Sequence, residues 1–133
     1  MQISEHLARA ESFERSIARL DPVDDGELYV VFRMRASTNR VNAALHALGV
    51  TDTAASASRV GDLNHSYKPR LEGDLPAEVQ QMFLPLKYLE DLRPDYVRGP
   101  LSLTPEIVEA CERAAAEIMA LTDAILERRR ETA

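Results

Sequence analysis

One cysteine, five glycines and no tryptophan in 133 residues remove several classes of protein at once. A single thiol, Cys111, cannot close an intramolecular disulfide and cannot by itself build a structural zinc site. Its place in an apolar stripe at helical spacing reads as a packed, reduced side chain. Scarce glycine excludes collagen-like and linker sequence, and with 45% apolar and 29% charged residues the chain has the composition of one folded domain spanning 1–133. Positive charge is also short: 16 Lys and Arg against 22 Asp and Glu give a net charge of −6. That balance excludes a broad basic face for nucleic acid or an anionic membrane. No apolar run approaches the ~18 residues that cross a bilayer, and no basic, apolar and small-residue leader opens the chain, so a cytoplasmic protein without membrane association is expected. Gly-rich phosphate loops, a Gly-x-Ser-x-Gly elbow and a dinucleotide fingerprint are all missing, and no cofactor is expected.

What is present is helical periodicity. Ile3, Leu7, Ala10, Phe13, Ile17 and Leu20 fall on one helical face, and Pro22 ends that segment. A second helix is expected from about Asp25 to Leu48, with the stripe Leu28, Val31, Met34, Val41, Leu45 and Leu48 and with Gly49 just past its end. Tyr29 to Phe32 would also suit a strand, but the residues that follow lack alternation. A third helix is expected from near Asp74, with Pro76 in its first turn, a kink at Pro85 and a stop at Arg93-Pro94. It should bury Val79, Met82, Phe83, Leu86 and Leu89. Thr104 as cap and Pro105 at the first position open the last helix, whose seam is Ile107, Cys111, Ala114, Ile118, Leu121 and Ile125. Arg128 to Arg130 complement its C-terminal dipole. The natural solution is all-α: an antiparallel four-helix bundle with a long loop, about 50 to 73, between the second and third helices. The wide stripes of the second and last helices, with few large aromatics, point to a homodimer that buries the surplus.

Two polar segments interrupt this frame. The loop carries Arg59, Asp62, Asn64, His65, Tyr67, Lys68 and Arg70, a set suited to holding an anion or moving a proton. The plainer alternative is a solvated loop in which Asp62 pairs with Arg59 or Lys68. On the second helix, Asn39, Asn42 and His46 turn polar groups toward the bundle interior. Either the amides bond across helices and fix the register, or they line a pocket into which the loop folds back. The histidines, His6, His46 and His65, lie far apart with no Glu-x-x-His or His-x-x-x-His spacing, so no metal site is expected. The pairs Glu11/Glu14 and Glu109/Glu112 read as solvated helix faces.

The segment Arg59-Val-Gly-Asp-Leu-Asn-His65, and again Arg40-Val-Asn-Ala-Ala-Leu-His46, resembles the Arg-to-His spacing of small all-α HEPN domains. The resemblance implies a metal-independent ribonuclease acting as a dimer. His65 would then activate the RNA 2′-hydroxyl as general base, Arg59 would stabilise charge developing on the phosphate, and Lys68 and Arg70 would grip neighbouring phosphates.

Three functions are compatible with these features. The leading expectation is a non-catalytic interaction or regulatory module, a homodimer with a protein partner. The alternatives are the HEPN-like ribonuclease with Arg59 and His65 as catalytic pair, and a small-molecule or anion-binding bundle using Asn64, Tyr67, Lys68, Arg70, Asn42 and His46.

Overall fold

The computed structural model describes residues 1–53, 61–63 and 75–132, and among them the fold is all-α with no strand. Four long helices, α1 (Ile3–Ile17), α2 (Gly26–Ala47), α3 (Ala77–Asp91) and α5 (Pro105–Thr132), form a helical bundle, and α4 (Arg93–Tyr96) is one short turn between α3 and α5. No helix among the described residues is long and apolar enough to cross a membrane.

The helix limits follow local chemistry. The Gln2 amide donates to Glu5 Oε1 at 3.2 Å at the start of α1. Asp21 Oδ1 then accepts from the Val23 and Asp24 amides at 3.0 and 2.9 Å and turns the chain into α2. Gly49, at φ 73°, closes α2 with the paired bonds Val50 N to Leu45 O and Gly49 N to His46 O, 3.0 and 3.1 Å. Pro76 caps α3, which continues through Pro85, and the Ile107 amide donates to Thr104 Oγ1 at 3.3 Å at the start of α5.

α2 is the central element. It packs against α1, α3, α4 and α5, whereas among the described helices α1 packs on α2 alone. The apolar core accordingly lies where α2, α3 and α5 meet, around Tyr29, Met34, Leu45, Met82, Leu89 and Ile118, each fully buried. Burial of side chains this size contributes roughly 1.5–3 kcal/mol each. Val79, Met82, Phe83, Leu86 and Leu89 are all buried on α3, as its periodicity predicts. On α5, Cys111, Ala114, Ile118 and Ile125 are buried, with Ile107 and Leu121 partly covered. Burial also pushes the Cys111 thiol up to about 11, which keeps it in the inert form expected of a packed side chain.

The stripe of α2 differs from expectation. Leu28 is 50% exposed, while Tyr29 and Val30 are fully buried. The shift has a cause in the α2–α5 contact: Tyr29 donates its hydroxyl to Glu112, and Arg33 Nη2 meets both oxygens of that carboxylate at 2.7 and 2.8 Å. This cross-helix tie turns Tyr29 inward and Leu28 outward. From Ala36 to Ala47, α2 has neighbours on so many sides that polar Ser37, Thr38, Arg40, Asn42 and His46 are buried with the apolar positions. Arg40 is held by Glu14 of α1 through two bonds of 2.7 Å.

Candidate functional site

The polar face of α2 is where the two histidines of the described residues meet. His6 projects from α1 and His46 from the last turn of α2, 2% and 6% exposed, with ring centroids 5.3 Å apart. Between them lies Asp62. Its Oδ1 is 2.8 Å from His6 Nε2 and 2.7 Å from His46 Nε2, so one carboxylate oxygen serves both imidazoles. Oδ2 accepts from the Met1 amino group at 3.2 Å.

Asp62 is held there by Asn42. The Asn42 amide donates to Leu63 O and accepts from the Leu63 amide, both at 2.8 Å, which clamps segment 61–63 onto α2 as a backbone partner would. The two outer ring nitrogens are also engaged. His6 Nδ1 faces Asn39 Oδ1 at 2.8 Å, and His46 Nδ1 faces Thr51 Oγ1 at 2.6 Å. Asn39 spends its Nδ2 on the Arg35 carbonyl at 2.8 Å, which fixes the amide so that only its oxygen meets His6. Burial opposes ionisation of Asp62, but the bonds from His6, His46 and the amino group outweigh it and hold its carboxyl below the usual carboxylate range.

Beside the cluster opens a cavity of about 280 Å³, walled by His6, Asp62, Arg9, Phe13, Arg35 and Thr38 among others. Arg9 lies over the Phe13 ring, its guanidinium carbon 5.9 Å from the centroid. Among the described residues neither Arg9 nor Arg35 has a carboxylate partner, and the buried Thr38 hydroxyl has no hydrogen-bond partner.

The structure brings together only part of what the sequence suggested. Asn42 and His46 are at the site, Asn42 as the clamp on segment 61–63 and His46 as one arm of the cluster. Asn39 bonds across helices, to His6 of α1. Arg59, Asn64, His65, Tyr67, Lys68 and Arg70 lie outside the described residues, as does the HEPN-like pair Arg59/His65. The second Arg/His spacing, Arg40 and His46, does not make a pair: Arg40 is engaged by Glu14 and His46 by Asp62 and Thr51. The alternative in which Asp62 pairs with Arg59 or Lys68 involves side chains outside the described residues; among the described residues its carboxylate meets His6, His46 and the Met1 amino group. Distance in sequence was a poor guide to the histidines, because His6, His46 and Asp62 offer three ligand-capable atoms all within 4.8 Å of one another.

His6, Arg9, Arg35 and Thr51 are the residues that sequence reasoning missed. A signal for His6 was present: it shares the 6, 10, 13, 17 spacing of the buried face of α1. No protein-family model matches this chain, and no curated protein or solved structure does either.

Proposed function

We propose that the protein is a small-molecule-binding helical bundle whose ligand carries an anionic group. The observation that carries this reading is the pairing of Arg9 and Arg35, without carboxylate partners among the described residues, on one cavity with the buried, unpartnered Thr38 hydroxyl. A carboxylate or phosphate can accept from two guanidinium groups, while Thr38 supplies a short-range hydrogen bond and Phe13 an apolar wall. At about 30 Å³ per water-sized group the cavity takes roughly nine such groups, the scale of a small metabolite.

The test is ligand-dependent thermal stabilisation against a panel of small dicarboxylates, monophosphates and their uncharged analogues. Anions should raise the melting temperature and uncharged analogues should not, and Arg9→Ala with Arg35→Ala should abolish the rise. Stabilisation that is indifferent to ligand charge, or that survives in the double variant, overturns the reading.

A second reading, the homodimeric interaction module, is supported by exposed apolar side chains: Leu84 of α3 is 74% exposed, Leu101 52% and Leu28 50%. Sedimentation equilibrium should then show a dimer that Leu84→Lys dissociates. A monomer at all concentrations removes that reading.

A further inference from the structure

Proton bookkeeping at the His6–Asp62–His46 cluster is unusual. The Asn39 oxygen that meets His6 Nδ1 can only accept, so Nδ1 carries the ring proton. Thr51 Oγ1 stands in the matching place at His46 Nδ1, where the hydroxyl can accept that ring's proton in the same tautomer or donate its own. A neutral His6 then directs an Nε2 lone pair at the Asp62 oxygen 2.8 Å away, and His46 in the same tautomer does so at 2.7 Å. Two lone-pair nitrogens and an anionic oxygen repel one another unless a cation stands between them. A second proton on His6, with His46 donating its own Nε2–H, satisfies that demand, and so does one metal ion held by both rings.

We propose that His6, His46 and Asp62 form a binding site for a first-row divalent transition metal ion of the zinc class, with Asn39 and Thr51 as positioning residues for the two imidazoles. Several features favour the metal. An outer Nδ1–H held by an oxygen acceptor, with Nε2 turned inward, is how ligating histidines are oriented. Two imidazoles and one carboxylate suit zinc, cobalt or nickel, whereas calcium and magnesium take mostly oxygen ligands. Three protein ligands leave a coordination position for water or a ligand, and His6 and Asp62 border the open cavity.

The three ligand atoms already lie within 4.8 Å of one another. Metal bonds near 2.0–2.1 Å in a tetrahedron set neighbouring ligand atoms about 3.3 Å apart, so the carboxylate must retreat by roughly half an ångström. The imidazoles are fixed on two helices, while the Asp62 side chain is 34% exposed and has room to rotate. The inference does not depend on the anionic ligand, which would occupy the neighbouring cavity.

The experiment is titration of untagged, EDTA-treated full-length protein with Co²⁺, read by visible absorption and by equilibrium dialysis. One equivalent per chain should bind, with the ligand-field bands of a low-coordinate site. His46→Ala and Asp62→Asn should abolish binding, with far-ultraviolet circular dichroism confirming helix content. Asn39→Ala should weaken binding ten- to a hundredfold, because the ring it orients is no longer held. A readout on the wild type alone guards against variants that fail to fold: Zn²⁺ should shift the Nε2, and not the Nδ1, nitrogen resonances of two histidines. Absence of stoichiometric Co²⁺ binding at millimolar concentration, or binding retained in both His46→Ala and Asp62→Asn, overturns the proposal and leaves the cluster as a proton-bridged ion pair.

Discussion

Asp62 and Glu90 are carboxylates whose surroundings pull in opposite directions. At Asp62 burial opposes ionisation, but the donors around it prevail and the carboxyl sits below its ordinary range. Glu90 has no such company. Burial, with a smaller push from Asp91, raises it from an ordinary value near 4.5 to about 7 against the pull of Arg93. The stability linked to Asp62 is therefore present above the ordinary carboxylate range and is lost as pH falls. That linked to Glu90 is complete below about 4.5 and is lost as pH rises through about 7. The expected outcome is a melting temperature that declines between pH 5 and pH 8 in the wild type and declines less in Glu90→Gln, which should also melt higher at pH 8. Equal slopes in the two proteins would mean that Glu90 ionises as a solvated side chain does. A second residue-scale expectation concerns Arg40, whose side chain is 10% exposed and whose guanidinium is bonded twice to Glu14. Removing the carboxylate leaves a buried cation without its main partner, so Glu14→Ala should lower unfolding stability by about 2–3 kcal/mol in urea titration. Glu14→Gln, which keeps an acceptor, should cost less.

At the scale of elements, the end of α2 joins fold to site. Gly49 adopts a positive φ that lets Val50 and Gly49 satisfy the last carbonyls, and two residues later Thr51 meets His46. A Cβ on Gly49 would meet nothing within 4 Å, so the penalty of Gly49→Ala is backbone strain alone, about 1 kcal/mol in a denaturant titration. Gly49→Asn should cost less, since asparagine tolerates that region. This helix end was legible in the sequence, as were the Thr104-Pro105 start of α5 and the buried positions of α3, because each depends on residues within a turn or two of one another. The stripe of α2 was only half legible. Periodicity assumes one buried face, and a helix enclosed by α1, α3 and α5 has several. The cluster was legible only in part: Asn42 and His46 were read as polar groups turned inward, but their meeting with His6 was not, because it depends on contacts across 56 positions for His6 and Asp62, and 33 for His6 and Asn39. Spacing rules for metal or catalytic residues work within one helix or one loop and carry no information about which side chains two separate helices bring together.

At the scale of the whole molecule, cohesion is uneven. α2, α3 and α5 share the apolar core, whereas α1 meets α2 alone among the described helices and buries only His6, Ala10 and Ile17. Much of its attachment is polar: Glu14 on Arg40, and His6 on Asn39 and Asp62. Elements with few buried apolar contacts open at lower free energy than the core they rest on. Amide hydrogen exchange should therefore show α1 at least about tenfold less protected than the middle of α5, and Glu14→Ala should speed exchange in α1 while leaving α5 unchanged. Equal protection in the two helices would contradict this division. Opening of α1 has a further consequence, since it carries His6 away from Asp62 and dismantles the cluster. Any ligand that requires both residues binds the closed form alone, and linkage then demands that it slow α1 exchange by the factor by which opening weakens its binding. Exchange measured with and without Zn²⁺ should thus slow first and most in α1, although α1 supplies one of the three proposed ligands and α2 another.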